Sequence, residues 1–542
     1  MKNSLWCLVV LALILTNLAP AQALTGPVDI TILHTSDIHA HLMPFDCASG
    51  TAMGGYARIK SYKEKLEAQG RTVVLLSSGD VFQGTLFFRF FRGKPDVEFM
   101  NQSGYAAMAV GNHEFDAGQQ GMIDAFQEAK FPVLSANLQF TAYRGLQQLI
   151  KPSTILPITV GSTTLKLGLI GLTDEQLMQD VPKAFLEGII VETADTSLKR
   201  ELPTLKAKGA DVVVALAHLG WSRELELSTQ FPELAGVLGG HSHLFIDPPV
   251  VKPTANGHQF VSQPGEFGRA VTRLDLRFSP TPQGVKTEVL AAGLMPMNAA
   301  LPEDGEIKGI VDALWKQVSD KVSVPLGEAL NKLDGDKPWV RERETTMGNL
   351  VADSMVRAIP ADLAVINGGG VRSSIQTGVV TIGDCLNVLP FDNYLVKLTM
   401  TGDLLQKLFE QVRAAIAVTP GFGGFLQVSR GLVVRYGLAK AHVSLHGKPL
   451  DPAKSYTIVT NDFLAGSGNG LTAFGAAAAS ETSGILGADA LMTFVRELKT
   501  IQYQNEGRII RDSPAPMYYI PRYRLNIPRP RDEGPTPKPA KK

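Results

Sequence analysis

Five short clusters of acidic, amide and imidazole side chains could hold metal ions. They are Asp37 and His39 in SDIH, Asp80 in SSGD, Asn112 and His113 in GNHE, His218 in LAHLG, and His241 and His243 in GGHSH. His113 follows Asn112 directly and is set apart as an acid–base group, which leaves seven side chains for binding. If Asp80 bridges, these make two four-ligand sites: Asp37, His39, Asp80 and His243, then Asp80, Asn112, His218 and His241. Two divalent cations about 3.5–4 Å apart polarise a phosphoryl oxygen and acidify a water between them, which is the chemistry of a two-metal hydrolase. Imidazole and carboxylate donors suit Zn, Mn or Fe, so residue type leaves the metal open. The neutral oxygen of Asn112 and the absence of cysteine from the set argue against a structural zinc site. His113 should diverge toward a substrate. Asp116, three residues on, can accept from one ring nitrogen and favour the imidazolium. A protonated His113 could stabilise charge on a transferring phosphoryl group or protonate a leaving alkoxide. Any one of these clusters arises easily by chance; five in this order do not. His34 and His41 read as packing or surface histidines.

Such distant residues need a scaffold that gathers them. Asp29 to His34, Thr72 to Leu76, Ala106 to Val110, Asp211 to Ala217 and Gly236 to Leu238 read as strands, each running into one cluster. They alternate with amphipathic segments such as Tyr56 to Gln69, which predicts an α/β sheet covered on both faces. In such sheets ligands bind beyond the carboxyl ends of the strands. From about Val271 to Leu290 the pattern changes to alternating strands, as in VTRLDLRF, and Glu306 to Val322 reads as an amphipathic helix between domains. A second α/β unit follows.

At 542 residues the chain should hold two domains. Lys+Arg and Asp+Glu are both 52, which gives no general reason to bind a nucleic acid polymer or an anionic membrane. Lys2, an apolar stretch from Leu5 to Leu18 and Ala21-Gln22-Ala23 read as a cleaved leader, so the protein is expected to be exported, periplasmic or extracellular. Removal of the leader leaves Cys47 and Cys385; one bridge is possible, but two free thiols are expected. The tail after Pro514 is rich in Pro and basic residues and is expected to be extended or disordered, with no closing hydrophobic anchor. The expected division is 1–23 leader, 24–302 catalytic domain, 303–322 linker helix, 323–513 substrate-binding domain and 514–542 tail. Oligomeric state is not legible.

The series D-x-H, G-D, G-N-H-E, a lone His and G-H-x-H resembles the calcineurin-like metallophosphoesterases. GGYAR at Gly54 to Arg58, DVFQGT at Asp80 to Thr85, GNHEFD at Gly111 to Asp116 and FPVLSAN at Phe131 to Asn137 are similar, more narrowly, to the 5′-nucleotidase family. The resemblance implies the ligand set above, a His113–Asp116 catalytic pair, two divalent metal ions (Zn, Mn or similar), and an N-terminal four-layer α/β sandwich. A smaller C-terminal α/β domain would be joined to it by a helix, and the two would rotate relative to each other.

The second unit should choose the substrate. Asn367 to Arg372 (NGGGVR) offers close backbone approach and a planar guanidinium for phosphate, and Arg341 and Arg343 add charge. R-x-R-E-x-x-M-G-N-L, N-G-G-G-V-R and L-P-F-D-N resemble the nucleotidase C-terminal domain. The resemblance implies substrate contacts from Arg341, Asn367 and Arg372, with Arg343 beside them, and base stacking by Phe425 and Phe463. The family has an Asp where this chain has Asn469, which could keep, weaken or redirect sugar recognition. The expected function is release of phosphate from nucleoside 5′-phosphates in nucleotide scavenging. The alternatives are a 2′,3′-cyclic-nucleotide phosphodiesterase, a nucleotide-sugar or diphosphate hydrolase, a sulfur-compound hydrolase, and a nucleotide-binding protein without turnover.

Overall fold

The computed structural model describes residues 24–46, 52–142, 144–182, 185–337, 339–514, 516–517 and 527–530. The expected leader, Cys47 and most of the expected tail lie outside the described residues; Cys385 is buried and free.

Apolar runs in the N-terminal unit, such as Val212–Ala217 (VVVALA), are buried along their whole length, as strands covered on both faces must be. They join one thirteen-stranded sheet. One half runs parallel through Val28–Thr35, Val73–Ser77, Tyr105–Ala109, Val133–Leu134 and Ile150–Lys151. The other runs parallel through Gly257–Ser262, Gly236–Gly239, Val212–Ala217 and Thr163–Leu172, with Ser153–Val160 antiparallel at the edge. A long hairpin, Ala270–Thr281 with Gly284–Pro296, lies between the halves and pairs antiparallel with Val28–Thr35.

The sheet folds on itself. Ile32, Leu76 and Ala109 of one half share a core with Leu167, Val214 and Leu216 of the other. The approach is close enough that a Cβ on Gly171 would meet the Leu134 carbonyl oxygen at 2.3 Å. Helices Tyr56–Ala68 and Lys94–Ser103 pack on the outer face of the first half. Ala194–Ala207 and Trp221–Gln230 cover the second. This is the expected four-layer α/β sandwich, built from one sheet bent at its hairpin.

The hairpin read as alternating strands is buried at its polar positions too. Thr272, Arg273 and Asp275 are all buried. Arg273 Nη2 lies 2.9 Å from Asp275 Oδ2, and Thr31 Oγ1 donates to Asp275 Oδ1 at 2.7 Å. Paired charges let polar positions sit inside a sheet where unpaired ones would not be tolerated.

The smaller C-terminal unit is also α/β, with five-, four- and three-stranded sheets. Its five-stranded sheet places Leu363–Asn367 between Leu426–Val428 and Ser455–Asn461. Helix Gly305–Val322, capped by Asp304 accepting from Ile307 N, joins the units. Ile307 and Val311 pack into the N-terminal core, whereas Val318 and Val322 pack into the C-terminal one together with Leu86.

The composition predicts an extended or disordered tail, yet residues 527–530 are held against the N-terminal unit. Ala292 N donates to the Pro528 carbonyl at 3.0 Å, Arg529 Nη2 lies 2.9 Å from Asp247 Oδ2, and Ile527 packs on the inter-sheet core. Among the described residues no helix is long and apolar enough to cross a membrane.

Candidate metal centre and substrate cleft

All five clusters leave the carboxyl ends of parallel strands. Because the sheet is bent, the ends of both halves converge. Asp37 and His39 follow Val28–Thr35, Asp80 follows Val73–Ser77, Asn112 and His113 follow Tyr105–Ala109, His218 follows Val212–Ala217, and His241 and His243 follow Gly236–Gly239. Five of the seven candidate ligands have left-handed backbone: Asp37 (φ 54°), His39 (52°), Asp80 (51°), His241 (71°) and His243 (60°). Each such residue costs on the order of 1–2 kcal/mol, so the surroundings must fix these turns.

Glu114 does much of that fixing, and the sequence reading gave it no role. Its buried carboxylate accepts from the backbone N–H groups of Asp80 (3.1 Å), Val81 (2.7 Å), Phe82 (3.3 Å) and Gly111 (2.6 Å). Burial, with the charge of Asp80 nearby, pushes its pKa up to about 7. A Cβ on Gly111 would meet Asp80 Oδ1 at 2.2 Å, so that position must stay glycine. Glu224 works likewise behind the last cluster, accepting from Gly240 N at 2.9 Å.

The histidines are oriented by what their outer nitrogens touch. His39 Nδ1 faces the Phe82 carbonyl at 3.2 Å, His218 Nδ1 faces the Ser78 carbonyl at 2.7 Å, and His243 Nδ1 contacts the Glu266 carboxylate. Those partners can only accept, so each Nδ1 carries the proton and, in the neutral ring, each Nε2 presents a lone pair. His39 Nε2 and His243 Nε2 stand 3.2 Å apart, His243 Nε2 is 3.2 Å from Asp37 Oδ1, and His218 Nε2 is 3.0 Å from Asp80 Oδ2. Lone pairs so close repel unless a cation or proton lies among them, which makes the donor set fit bound metal. Without metal, burial lowers the His218 pKa, but Asp80 and Asp37 outweigh it and raise the group to about 10. Such a proton is what an arriving cation displaces.

Two groups of converging donors emerge: Asp37, His39 and His243, then Asp80, His218 and His241. Asp80 lies between them, with Oδ2 3.8 Å from His39 Nε2 and 3.0 Å from His218 Nε2. His241 is inverted relative to the other three, meeting Asn112 Oδ1 through Nδ1 at 3.0 Å. A third group, Asp174, Asp180 and His241, adjoins these. His34 and His41 lie outside them: His34 bonds Ser78 Oγ at 2.9 Å, and the His41 ring stacks 4.1 Å from Phe267.

The His113 ring stands edge-on to that of His39, centroids 5.1 Å apart, and its Nδ1 donates to Asp116 Oδ2 at 2.6 Å. Burial lowers its pKa, but Asp116 and Asp80 prevail and raise it. The His113 backbone N–H donates to Asp80 Oδ1 at 2.8 Å, tying acid–base group and donor set together.

The C-terminal unit closes over this centre. Arg372 is lowered in pKa by burial, against Glu266, Asp80, Asp116 and Asp37, which favour its charge. Its guanidinium lies 5.9 Å from the Phe391 ring, and that ring is 6.0 Å from His113. Phe391, in LPFDN, received no role from the sequence. Neither did Lys337, whose pKa falls to about 7 through burial and the repulsion of Arg341. Arg341 Nη1 donates to the Gly421 carbonyl at 3.4 Å. Asn367 donates to Asn469 Oδ1 at 3.3 Å and accepts from Asn461 at 3.2 Å. Half-buried Phe463 lies against Gly468, where a Cβ would come within 2.5 Å of its ring.

Two expected substrate residues sit elsewhere. Phe425 is 0 % exposed inside the C-terminal core, its ring 5.9 Å from Tyr436, so no face is open to a base. Its apolar neighbours Leu426 and Val428 belong to the same core and carry it inward. Arg343 is turned outward, stacked 4.1 Å over Trp339 and 3.9 Å from Asp334, rather than toward the donors.

Comparison with known proteins agrees with this architecture. The calcineurin-like phosphoesterase model matches residues 30–245, and the 5′-nucleotidase C-terminal domain model matches residues 325–476. The structure of a 5′-nucleotidase precursor from Thermus thermophilus is similar at 31% identity and a TM-score of 0.82, covering 90% of this chain and 100% of that one. A 5′-nucleotidase of Homo sapiens is 29% identical over 542 residues, 89% of this chain and 91% of that one. A sulfate thiohydrolase, SoxB, also from a Thermus species, shares the fold at 17% identity, with a TM-score of 0.72 over 91% of this chain and 98% of that one. The chain is thus a hydrolase and belongs to the 5′-nucleotidase family of calcineurin-like metallophosphoesterases.

Proposed function

We propose that this protein is an exported, dinuclear metal-dependent hydrolase that releases inorganic phosphate from nucleoside 5′-phosphates and serves nucleotide scavenging. The observation that carries the reading is the facing Nε2 atoms of His39 and His243, 3.2 Å apart, beneath a second domain that brings Arg372 and Phe391 to His113. Two divalent cations, held by Asp37, His39, Asp80, Asn112, His218, His241 and His243, would supply Lewis-acid polarisation of the phosphoryl oxygens and acidify water.

The chain's own residues do the rest. Arg372, with Arg341 and Lys337 beyond it, attracts and orients the anionic phosphate. His113, kept protonated by Asp116, donates to the phosphoryl oxygens or to the leaving 5′-oxygen. Phe463 and Phe391 offer ring faces to the base, and Asn367 and Asn469 offer amide groups to the sugar. The 1–23 leader supports export, as does Leu24, which packs into the inter-sheet core just after the A-x-A site. The catalytic domain would span 24–302 and the substrate-binding domain 323–513.

The test is phosphate release by protein loaded with Mn or Zn from AMP, cyclic nucleotides, UDP-glucose and bis-p-nitrophenyl phosphate. AMP should be the best substrate. An enzyme that leaves AMP intact while turning over a 2′,3′-cyclic nucleotide would overturn the reading.

A further inference from the structure

Asp180 stands where the two halves of the cleft meet. It ends the short helix Leu177–Asp180 of the N-terminal unit, which packs against the turn Gly468–Gly470 of the C-terminal unit. Its neighbour Gln179 lies so near that a Cβ on Gly470 would meet Gln179 Oε1 at 3.0 Å. Asn469 Nδ2 donates to Asp180 Oδ1 at 3.4 Å across the domain boundary. On its other side, Asp180 brings a carboxylate oxygen within 4.8 Å of a His241 ring nitrogen and an Asp174 oxygen. Asp180 is half-buried at the cleft, beside the buried carboxyl of Asp174.

A nucleotide is a linear object with phosphate, sugar and base in that order. With phosphate at the donor set and base on the C-terminal unit, the sugar must cross between His241 and Asn469, the gap that Asp180 borders. A sugar diol presents two O–H donors and needs acceptors. Asn469 Oδ1 already accepts from Asn367 Nδ2 at 3.3 Å, which leaves it one lone pair, and its Nδ2 is a donor, so a diol needs a further acceptor beside it. Asp180 has two carboxylate oxygens, and the bond that reaches them from the C-terminal unit is the long one from Asn469. A donating hydroxyl would favour the ionised form of that carboxylate. A charged acceptor also gives the stronger hydrogen bonds.

We propose that Asp180 is a specificity-determining residue that accepts hydrogen bonds from the sugar hydroxyls of the nucleotide, so that the sugar is read by a pair, Asp180 and Asn469, drawn from both domains. This rests on the 5′-nucleotidase reading above. Recognition of the sugar is then complete only when the domains are closed, because half of the reader lies on each.

The test compares kcat/KM for AMP and for 2′,3′-dideoxy-AMP in the metal-loaded full chain, with bound metal counted for every variant. The wild type should favour AMP. Asp180→Ala should collapse that preference by roughly 10- to 100-fold, as expected for lost hydrogen bonds to a charged acceptor. The loss should lie mainly in KM, and Asp180→Asn, which keeps one acceptor, should fall between. Bound metal should match the wild type. The proposal is overturned if Asp180→Ala lowers both substrates equally with the preference intact. It is equally overturned if the variant loses metal, since Asp174, Asp180 and His241 would then be a cation site. A wild type that hydrolyses no nucleoside 5′-phosphate would instead sink the underlying function, and that result is read before any variant is made.

Discussion

Asp392 of the C-terminal domain is shared by two arginines of the N-terminal domain, with Oδ1 2.7 Å from Arg89 Nη1 and Oδ2 3.0 Å from Arg92 Nη2. The residue before it, Phe391, is the one whose ring approaches His113. The ion pairs therefore fix how the aromatic loop sits over the metal centre. Arg92 and Asp392 are about half exposed, so the pairs are weak singly, on the order of 0.5–1 kcal/mol in all. Asp392→Ala should raise KM for AMP about 2- to 5-fold and flatten its dependence on salt. Initial-rate kinetics from low to high ionic strength check this. An unchanged KM with unchanged salt dependence would show that the pairs do not hold the loop.

His113 should set the alkaline limb of the rate profile. Its pKa is raised in the folded protein, with burial opposing and Asp116 and Asp80 prevailing. The protonated form is therefore favoured by folding. Its contribution to stability is present below the unfolded pKa and is lost as pH rises through the folded one. The rate should fall along the same limb. Asp116→Asn removes a raising partner and should move the limb to lower pH. His113→Ala should abolish the limb and cost about 10²–10⁴ in kcat, with metal content retained.

Phe391→Ala and Phe425→Ala should separate function from packing. Phe391→Ala should weaken AMP by about 1–3 kcal/mol, read as a higher KM, with little change in melting temperature. Phe425→Ala removes a fully buried ring and should destabilise the C-terminal domain by about 3–5 kcal/mol. Thermal melts beside kinetics on the same preparations decide it. A Phe425→Ala protein that melts normally but loses AMP affinity would restore Phe425 to the cleft.

Chelation should remove activity and also stability. The centre holds facing lone pairs and five candidate ligand residues with left-handed backbone, so a cation that binds only the folded state would stabilise it by mass action. That is about 2.7 kcal/mol per site at a hundredfold excess over Kd. Calorimetry with and without EDTA should show a lower transition for the N-terminal domain, restored by Mn or Zn. Equal transitions would argue that no metal belongs there.

Much of this centre was legible because its residues lie at strand ends, and buried parallel strands announce themselves as apolar runs such as Val212–Ala217. What was not legible depends on surroundings. Glu114 reads as part of a motif, yet its role is to collect four N–H groups from turns on either side. Phe391 and Phe425 have similar local contexts, and only tertiary packing decides which ring faces the cleft. Asp180 lies in an undistinguished polar segment and gains meaning from a turn 289 residues away. The burial of Arg273 and Asp275 in the hairpin strand Ala270–Thr281 rests on their pairing inside the sheet, which alternation alone does not announce.

The docked segment 527–530 changes the connectivity of the molecule. The backbone passes from the first domain to the second along Gly305–Val322 and later comes back to rest on the strand Gly284–Pro296. The two domains are therefore joined at two places by one chain, as a bag is joined by both its handles. A protease cut in the helix would leave the halves linked through the docked tail, which Ala292, Asp247 and the inter-sheet core all hold.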